Sequence, residues 1–258
     1  MDLGLKGRTA LVCAASAGLG FGCAEALARE GVAVTISGRD AAKLAAAAAK
    51  LRGIGPEIRV APGDITTEAG RRVALEACPM PDILVNNAGG PPPGDFREFS
   101  EAQWLAALNA NLLTPIALIR SVLDGMIIRK FGRIVNITSA SVKSPIASLP
   151  LSNTARTGLT GFVAGVARDV ARHNVTINNL LPGPFATDRQ IAISAAASKA
   201  SGKSPEEESA ARAAKNPAGR FGTAEEFGAA CAFLCSAQAG FIVGQNILLD
   251  GGAFNSTM

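Results

Sequence analysis

The 258-residue chain contains no tyrosine, a single tryptophan and a single histidine, His173. No phenol of pKa ~10 is therefore available as an acid, and imidazole chemistry has one candidate. Charge is also sparse. Lysine and arginine number 25 against 21 acidic residues, a formal net charge of +4, and no five like charges run together. Such a chain offers no continuous basic track to a nucleic acid or an anionic membrane. The beginning, MDLGLKGRTALV, lacks the basic-then-apolar layout of a signal peptide, and no apolar stretch reaches the ~18 residues of a membrane span. There is no CxxC pair. Cys13, Cys23, Cys78, Cys231 and Cys235 are odd in number and lie in apolar surroundings, which points to reduced thiols in a cytoplasmic compartment. Cys231 and Cys235 stand one helical turn apart, but beside a single imidazole they read as buried packing rather than zinc ligands, so no metal is expected.

What the chain does have is apolar surface: 48% of residues are hydrophobic and 18% charged, which suits one sizeable core and excludes disorder. Short apolar runs fit strands at Arg8 to Ala15, Val32 to Ser37, Glu57 to Ala61, Ile83 to Val85, Arg133 to Thr138, Thr176 to Leu181 and Asn246 to Leu249. Helical spacing occupies Gly18 to Arg29, Asp40 to Leu51 with Asp40 as N-cap, Glu101 to Ile128, and Ser152 to Arg172. Alternation of this kind predicts an α/β, Rossmann-type, doubly wound, parallel seven-stranded sheet with helices on both faces, in a single domain over 1–258. Chemistry in such sheets belongs in the turns beyond the carboxyl ends of the strands. Ser194 to Asn216 is rich in Ala, Ser, Lys and Glu, and reads either as a solvated helical excursion or as part of a mobile lid at about 187–220.

The first such turn reads Ala14-Ala15-Ser16-Ala17-Gly18-Leu19-Gly20. Small residues there let the backbone approach a pyrophosphate, whose charge the helix N-terminus stabilises. Further along stand Asp64, the tetrad Asn86-Asn87-Ala88-Gly89, Asn111, Ser139, Pro182-Gly183, and the closing run from Gly244 to Asp250-Gly251-Gly252. In this order and spacing the chain resembles the short-chain dehydrogenase/reductase family over nearly its whole length, and within it the 3-oxoacyl-[acyl-carrier-protein] reductases.

The resemblance implies a nicotinamide dinucleotide held by Ala14 to Gly20, with Asp64 and Ile65 along the adenine. Asn87, Ala88 and Gly89 would pass beside the adenosine ribose, and Pro182, Gly183, Phe185 and Thr187 would meet the nicotinamide end. At the second turn, Gly38 stands where an NAD-selecting carboxylate is usual, and Arg39 follows. Arg39 can bond a 2′-phosphate and stack on adenine, so NADP(H) is expected over NAD(H). Family members carry a Ser, a Tyr thirteen residues later and a Lys four after that. Counted from Ser139, those positions hold Ser152 and Arg156. Serine is a far weaker acid than a phenol. Arg156 shares a helix face with Ser152 and can still donate to the ribose hydroxyls.

The expected site is thus Asn111, Ser139, Ser152 and Arg156. Lys143 joins them either as an acid desolvated beside Arg156 or as a loop charge that meets an anionic substrate group. His173 lies far from it. Three functions fit: NADPH-dependent interconversion of a small carbonyl or acyl substrate and its alcohol, a dinucleotide-binding sensor or assembly protein without hydride transfer, and an imine or iminium reductase needing no acid. The helices Glu101 to Ile128 and Ser152 to Arg172, rich in small and aliphatic residues on several faces, predict a dimer or tetramer.

Overall fold

The computed structural model describes residues 1–256, apart from the side chains of 189, 196 and 200; Thr257 and Met258, the end of the expected single domain, lie outside the described residues. The strands are β1 (Thr9–Val12), β2 (Ala33–Gly38), β3 (Ile58–Pro62), β4 (Ile83–Asn86), β5 (Gly132–Ile137), β6 (Val175–Pro182) and β7 (Asn246–Leu249). They form one parallel seven-stranded sheet in the order β3-β2-β1-β4-β5-β6-β7, with the switch point between β1 and β4. The helices are α1 (Gly18–Arg29), α2 (Ala41–Arg52), α3 (Glu68–Ala77), α4 (Glu101–Leu108), α5 (Thr114–Arg129), α6 (Pro150–Val170), α7 (Asp188–Ser201), α8 (Pro205–Ala214) and α9 (Ala224–Cys235). Two apolar layers result. One packs α1, α2 and α9 on a face of the sheet, and the other packs α3, α5 and α6 on the opposite face.

Local chemistry sets most boundaries. Asp40 caps α2 by accepting from Lys43 N at 3.0 Å. Thr67 caps α3, and capping boxes Ser100/Gln103, Ser204/Glu207 and Thr223/Glu226 open α4, α8 and α9. The expected unbroken helix from Glu101 to Ile128 is instead α4 and α5 joined by a π-turn, Asn109–Leu113. The wider turn is where Asn111 is buried. Taken together, 101–129 is also long and apolar enough by composition to cross a membrane, contrary to the expectation that no stretch would be. Its Leu118, Ile119, Val122 and Met126 are spent on the core of the sheet. The helix expected from Ser152 begins earlier, at Pro150, and ends at Val170 in a 3-10 turn through His173. The segment that could be lid or excursion holds α7 and α8.

Two close contacts fix the layers. At the α1/α9 crossing, Gly22 and Gly228 meet so tightly that a Cβ on Gly22 would overlap Ala224 O, and one on Gly228 would overlap Gly22 O. At the amino ends of the strands Arg133, 1% exposed, donates to Ser236 O at 3.1 Å, Gly132 O at 2.9 Å, Asn174 O at 2.8 Å and Asn174 Oδ1 at 3.1 Å.

Through the interior runs a row of amides. Asn86, Asn136, Asn179 and Asn246 are register partners on β4, β5, β6 and β7. Each Nδ2 donates to the next Oδ1, at 2.8, 3.0 and 2.8 Å in turn. Asn86 Oδ1, at the β4 end, is buried without a partner.

Candidate active site

The nucleotide half is built where β1 turns into α1. Ala14 holds φ at +46°, a left-handed conformation that costs a side-chain-bearing residue about 1–2 kcal/mol, and Gly18 holds +59°. Gly20 has no room for a side chain: a Cβ would lie 2.5 Å from Ala14 O and 2.8 Å from Asn87 Nδ2. That same Asn87 Nδ2 donates to Ala14 O at 3.2 Å, tying the β4 turn to the β1 turn. Ala17 caps α1 with no side-chain bond, and the first turn contains no acid, so its N–H groups face the turn uncapped by the chain's own side chains. Across from it, a Cβ on Gly89 would enter open space. An uncapped helix start, a turn of small residues and an open flank fit a pyrophosphate-linked dinucleotide.

At the adenine end, Arg39 is exposed after β2 and Asp64 follows β3. Asp64 Oδ1 accepts from Thr66 N at 2.9 Å and Thr66 Oγ1 at 2.8 Å, and Thr66 O in turn accepts from Asn109 Nδ2 at 3.1 Å. Partial burial raises the Asp64 carboxyl, but the Thr66 bonds and the Arg39 charge outweigh it and hold it below the usual carboxylate range. Ile65 is buried beside it. Thr66 and Asn109 escaped the reading of the sequence, although Asx-turn spacing after Asp64 was a legible sign.

At the other end, Ser139 Oγ caps the 3-10 turn Ala140–Val142, accepting from Ser141 N at 3.1 Å. Ser152 and Arg156 are buried one turn apart on α6. Arg156 Nη1 donates to Ile137 O at 2.7 Å, two residues before Ser139, so this guanidinium is anchored to the end of β5. Asn111 Nδ2 donates to Ala107 O at 3.3 Å, and its Oδ1 is buried without a partner. Of the two readings of Lys143, the structure has the exposed loop charge and not the desolvated acid, with its ammonium 5.6 Å from the Phe254 ring centroid. His173 lies in the turn that leads into the amino end of β6, opposite the carboxyl ends where these residues gather.

The segment after β6 closes the arrangement. Gly183 is pressed against Asp250, whose Cα would be 2.7 Å from a Cβ there. Pro182 ends β6 half-buried, and the Phe185 ring is buried edge-on to Phe227 at 5.2 Å within the apolar layer of α1, α2 and α9. Thr187 caps α7 and overlies the first turn: a Cβ at Gly18 would come 3.7 Å from its methyl. Beyond it, Gln190 and Ser194 are buried on α7, residues the sequence reading did not single out.

An uncapped helix start at the switch point of a doubly wound sheet, with a serine and a buried arginine at the neighbouring strand ends, defines a dinucleotide-dependent enzyme fold. A family model described as Enoyl-(Acyl carrier protein) reductase matches residues 13–253. The 3-oxoacyl-[acyl-carrier-protein] reductase of Vibrio harveyi is 30% identical over 253 residues, covering 98% of this chain and 99% of its own. Gluconate 5-dehydrogenase of Gluconobacter oxydans is 32% identical, over 96% of this chain and 95% of its own. L-sorbose reductase from Gluconobacter frateurii, solved with NADPH and L-sorbose, superposes with a TM-score of 0.94 at 27% identity, covering 99% of this chain and 100% of its own. The chain belongs to the short-chain dehydrogenase/reductase family of NAD(P)-dependent oxidoreductases.

Proposed function

We propose that the chain is an NADPH-dependent oxidoreductase that interconverts a small carbonyl or acyl substrate and its alcohol at Asn111, Ser139, Ser152 and Arg156. The observation that carries this reading is the Arg156 anchor: 2.7 Å to Ile137 O fixes a buried cation beside Ser139, on the helix face that carries Ser152. The nicotinamide, when bound, supplies or accepts the hydride. Ala14, Ser16, Ala17, Gly18, Leu19 and Gly20 hold its pyrophosphate, Asp64 and Ile65 its adenine, and Asn87, Ala88 and Gly89 the adenosine ribose. Arg39, exposed beside Asp64, provides the charge for a 2′-phosphate and supports NADP(H) over NAD(H).

Ser139 and Ser152 donate to the substrate oxygen, and the fixed charge of Arg156 stabilises the developing alkoxide. No phenol is present to deliver the proton. The buried, unpaired Asn111 Oδ1 is suited to hold a water that delivers it through Ser152. Lys143, exposed at the rim over Phe254, suits an anionic substrate group better than proton transfer. Helices α7 and α8 act as the lid over 187–220. The five free, buried thiols support a cytoplasmic setting. Exposed Leu113 at the end of the π-turn and Ile128 on α5, with open space at Gly161 and Gly165 of α6, support a homodimer or homotetramer.

Steady-state NADPH oxidation against ketones, 3-oxoacyl thioesters and imines tests this reading. Ketone or thioester reduction, increased about 10²-fold or more by Ser152→Tyr with Arg156→Lys, is the expected result. Tight NADPH binding without turnover, unchanged in that double variant, would identify a sensor instead.

A further inference from the structure

The π-turn Asn109–Leu113 carries Asn111, and it is held from both sides. On one side Asn109 Nδ2 donates to Thr66 O at 3.1 Å, across 43 positions of chain. Arg71 Nη1 donates to the same carbonyl at 3.0 Å, while the Thr66 amide and hydroxyl are both bound to Asp64 Oδ1. That carboxylate stands at the adenine end of the nucleotide site. On the other side Leu112 rests on α6: a Cβ at Gly158, two residues beyond Arg156, would come 3.3 Å from Leu112 Cδ2. The π-turn is thus a bridge from the strip Asp64 to Thr66 to the helix that carries Ser152 and Arg156.

Asn109 has two parts in this bridge. Its carbonyl accepts from Thr114 N–H five residues on, the bond that makes the turn wider than an α-turn. Its side chain fixes where that wide turn stands against the loop after β3. Asn111 has no such anchor outside its own helix: Nδ2 donates locally, to Ala107 O at 3.3 Å, and Oδ1 is buried without a partner. The aim of Asn111 Oδ1 therefore follows the placement of the turn. A neutral hydrogen bond of ordinary length between half-buried groups is weak enough to open locally and strong enough to bias that opening.

We propose that Asn109 is a positioning residue: it ties the π-turn to Thr66, so that a nucleotide seated on Asp64 steadies the turn that aims Asn111. This inference rests on the NADPH-dependent carbonyl/alcohol reading and deepens it by joining the two ends of the site through one side chain. The coupling works by suppressing local opening and requires no change of fold.

The test is backbone amide hydrogen exchange, read by mass spectrometry on peptides covering 105–116, so that it does not depend on turnover. The probe is adenosine 2′,5′-bisphosphate, which carries the adenine end and no nicotinamide, with its affinity measured by calorimetry. A saturating amount should slow exchange across the π-turn of the parent chain by about threefold or more. Asn109→Leu, which keeps the bulk and loses the donor, should bind the probe within about threefold of the parent and gain no such protection, whereas Asn109→Gln, which keeps the amide, should restore part of it. Should Asn109→Leu not fold, Asn109→Ser, too short to reach Thr66 O, takes its place. Binding of NADPH but not of the bisphosphate, no added protection of the π-turn in the loaded parent, or undiminished protection in the variant without the amide would overturn the tether while leaving the cofactor reading standing. Failure to bind either nucleotide would remove the cofactor reading and this inference with it.

Discussion

Ala14 carries a side chain where its backbone, at φ +46°, favours glycine. Ala14→Gly should relieve about 1 kcal/mol net of the added chain entropy, raising the thermal midpoint by roughly 2–4 °C in a calorimetric scan. Next to it, Cys13 is pushed up to about 12 by burial, against weaker opposing bonds from Asn87 N and Ser37. The thiol of the unfolded chain ionises near pH 9, while the folded one keeps its proton. The share of stability that Cys13 contributes should therefore be complete below pH 9 and fall by about 1.4 kcal/mol per unit between there and pH 12, in addition to the alkaline loss from Cys78, Cys231 and Cys235, which are raised as well. Denaturant titrations at pH 8 and 10.5 should show a markedly smaller alkaline loss for Cys13→Ala than for the parent. Residue identity was the most legible scale in the sequence: the absence of tyrosine and the pair Ser152/Arg156 are read directly. The exposure of Lys143 was not, because it depends on the path of the chain between β5 and α6 and on where Phe254 comes to rest.

Most elements were legible from their period, but α3 and α9 were not picked out although Thr67 and Thr223 cap them. All seven strands and the Asp40 cap of α2 follow from short apolar runs and turn chemistry. The π-turn at Asn109–Leu113 left no mark, since adding one residue to a turn changes no composition and only slightly shifts the apolar phase. The Thr223/Glu226 spacing that opens α9 was a sign left unused, and the partner of α9 had no sign at all. Only the meeting of Gly22 and Gly228 shows that α1 and α9 touch backbone to backbone. Gly228→Ala should force these helices apart and cost about 1–3 kcal/mol, measured as a lower denaturation midpoint, whereas Gly161→Ala, facing open space, should leave the monomer fold unaffected.

Across the whole molecule, long-range partners were the hidden part of the sequence. Arg133 reads as an ordinary strand charge, yet it collects carbonyls from β5, from the turn before β6 and from the residue after α9. Arg133→Met should leave those acceptors unmatched and lower stability by about 3 kcal/mol, seen as a shift in the denaturant midpoint. The row Asn86-Asn136-Asn179-Asn246 was equally invisible, because its members lie far apart in the chain and meet only in register. Its bonds all point one way, β4 toward β7. Branched aliphatic side chains would tolerate a strand that docked one place out of step. An amide would not, since the slip would turn it to the opposite face and leave both neighbours unsatisfied in a dry interior. The row therefore acts as a register key: a sheet with any of its four strands displaced by one residue forfeits bonds that the native alignment keeps.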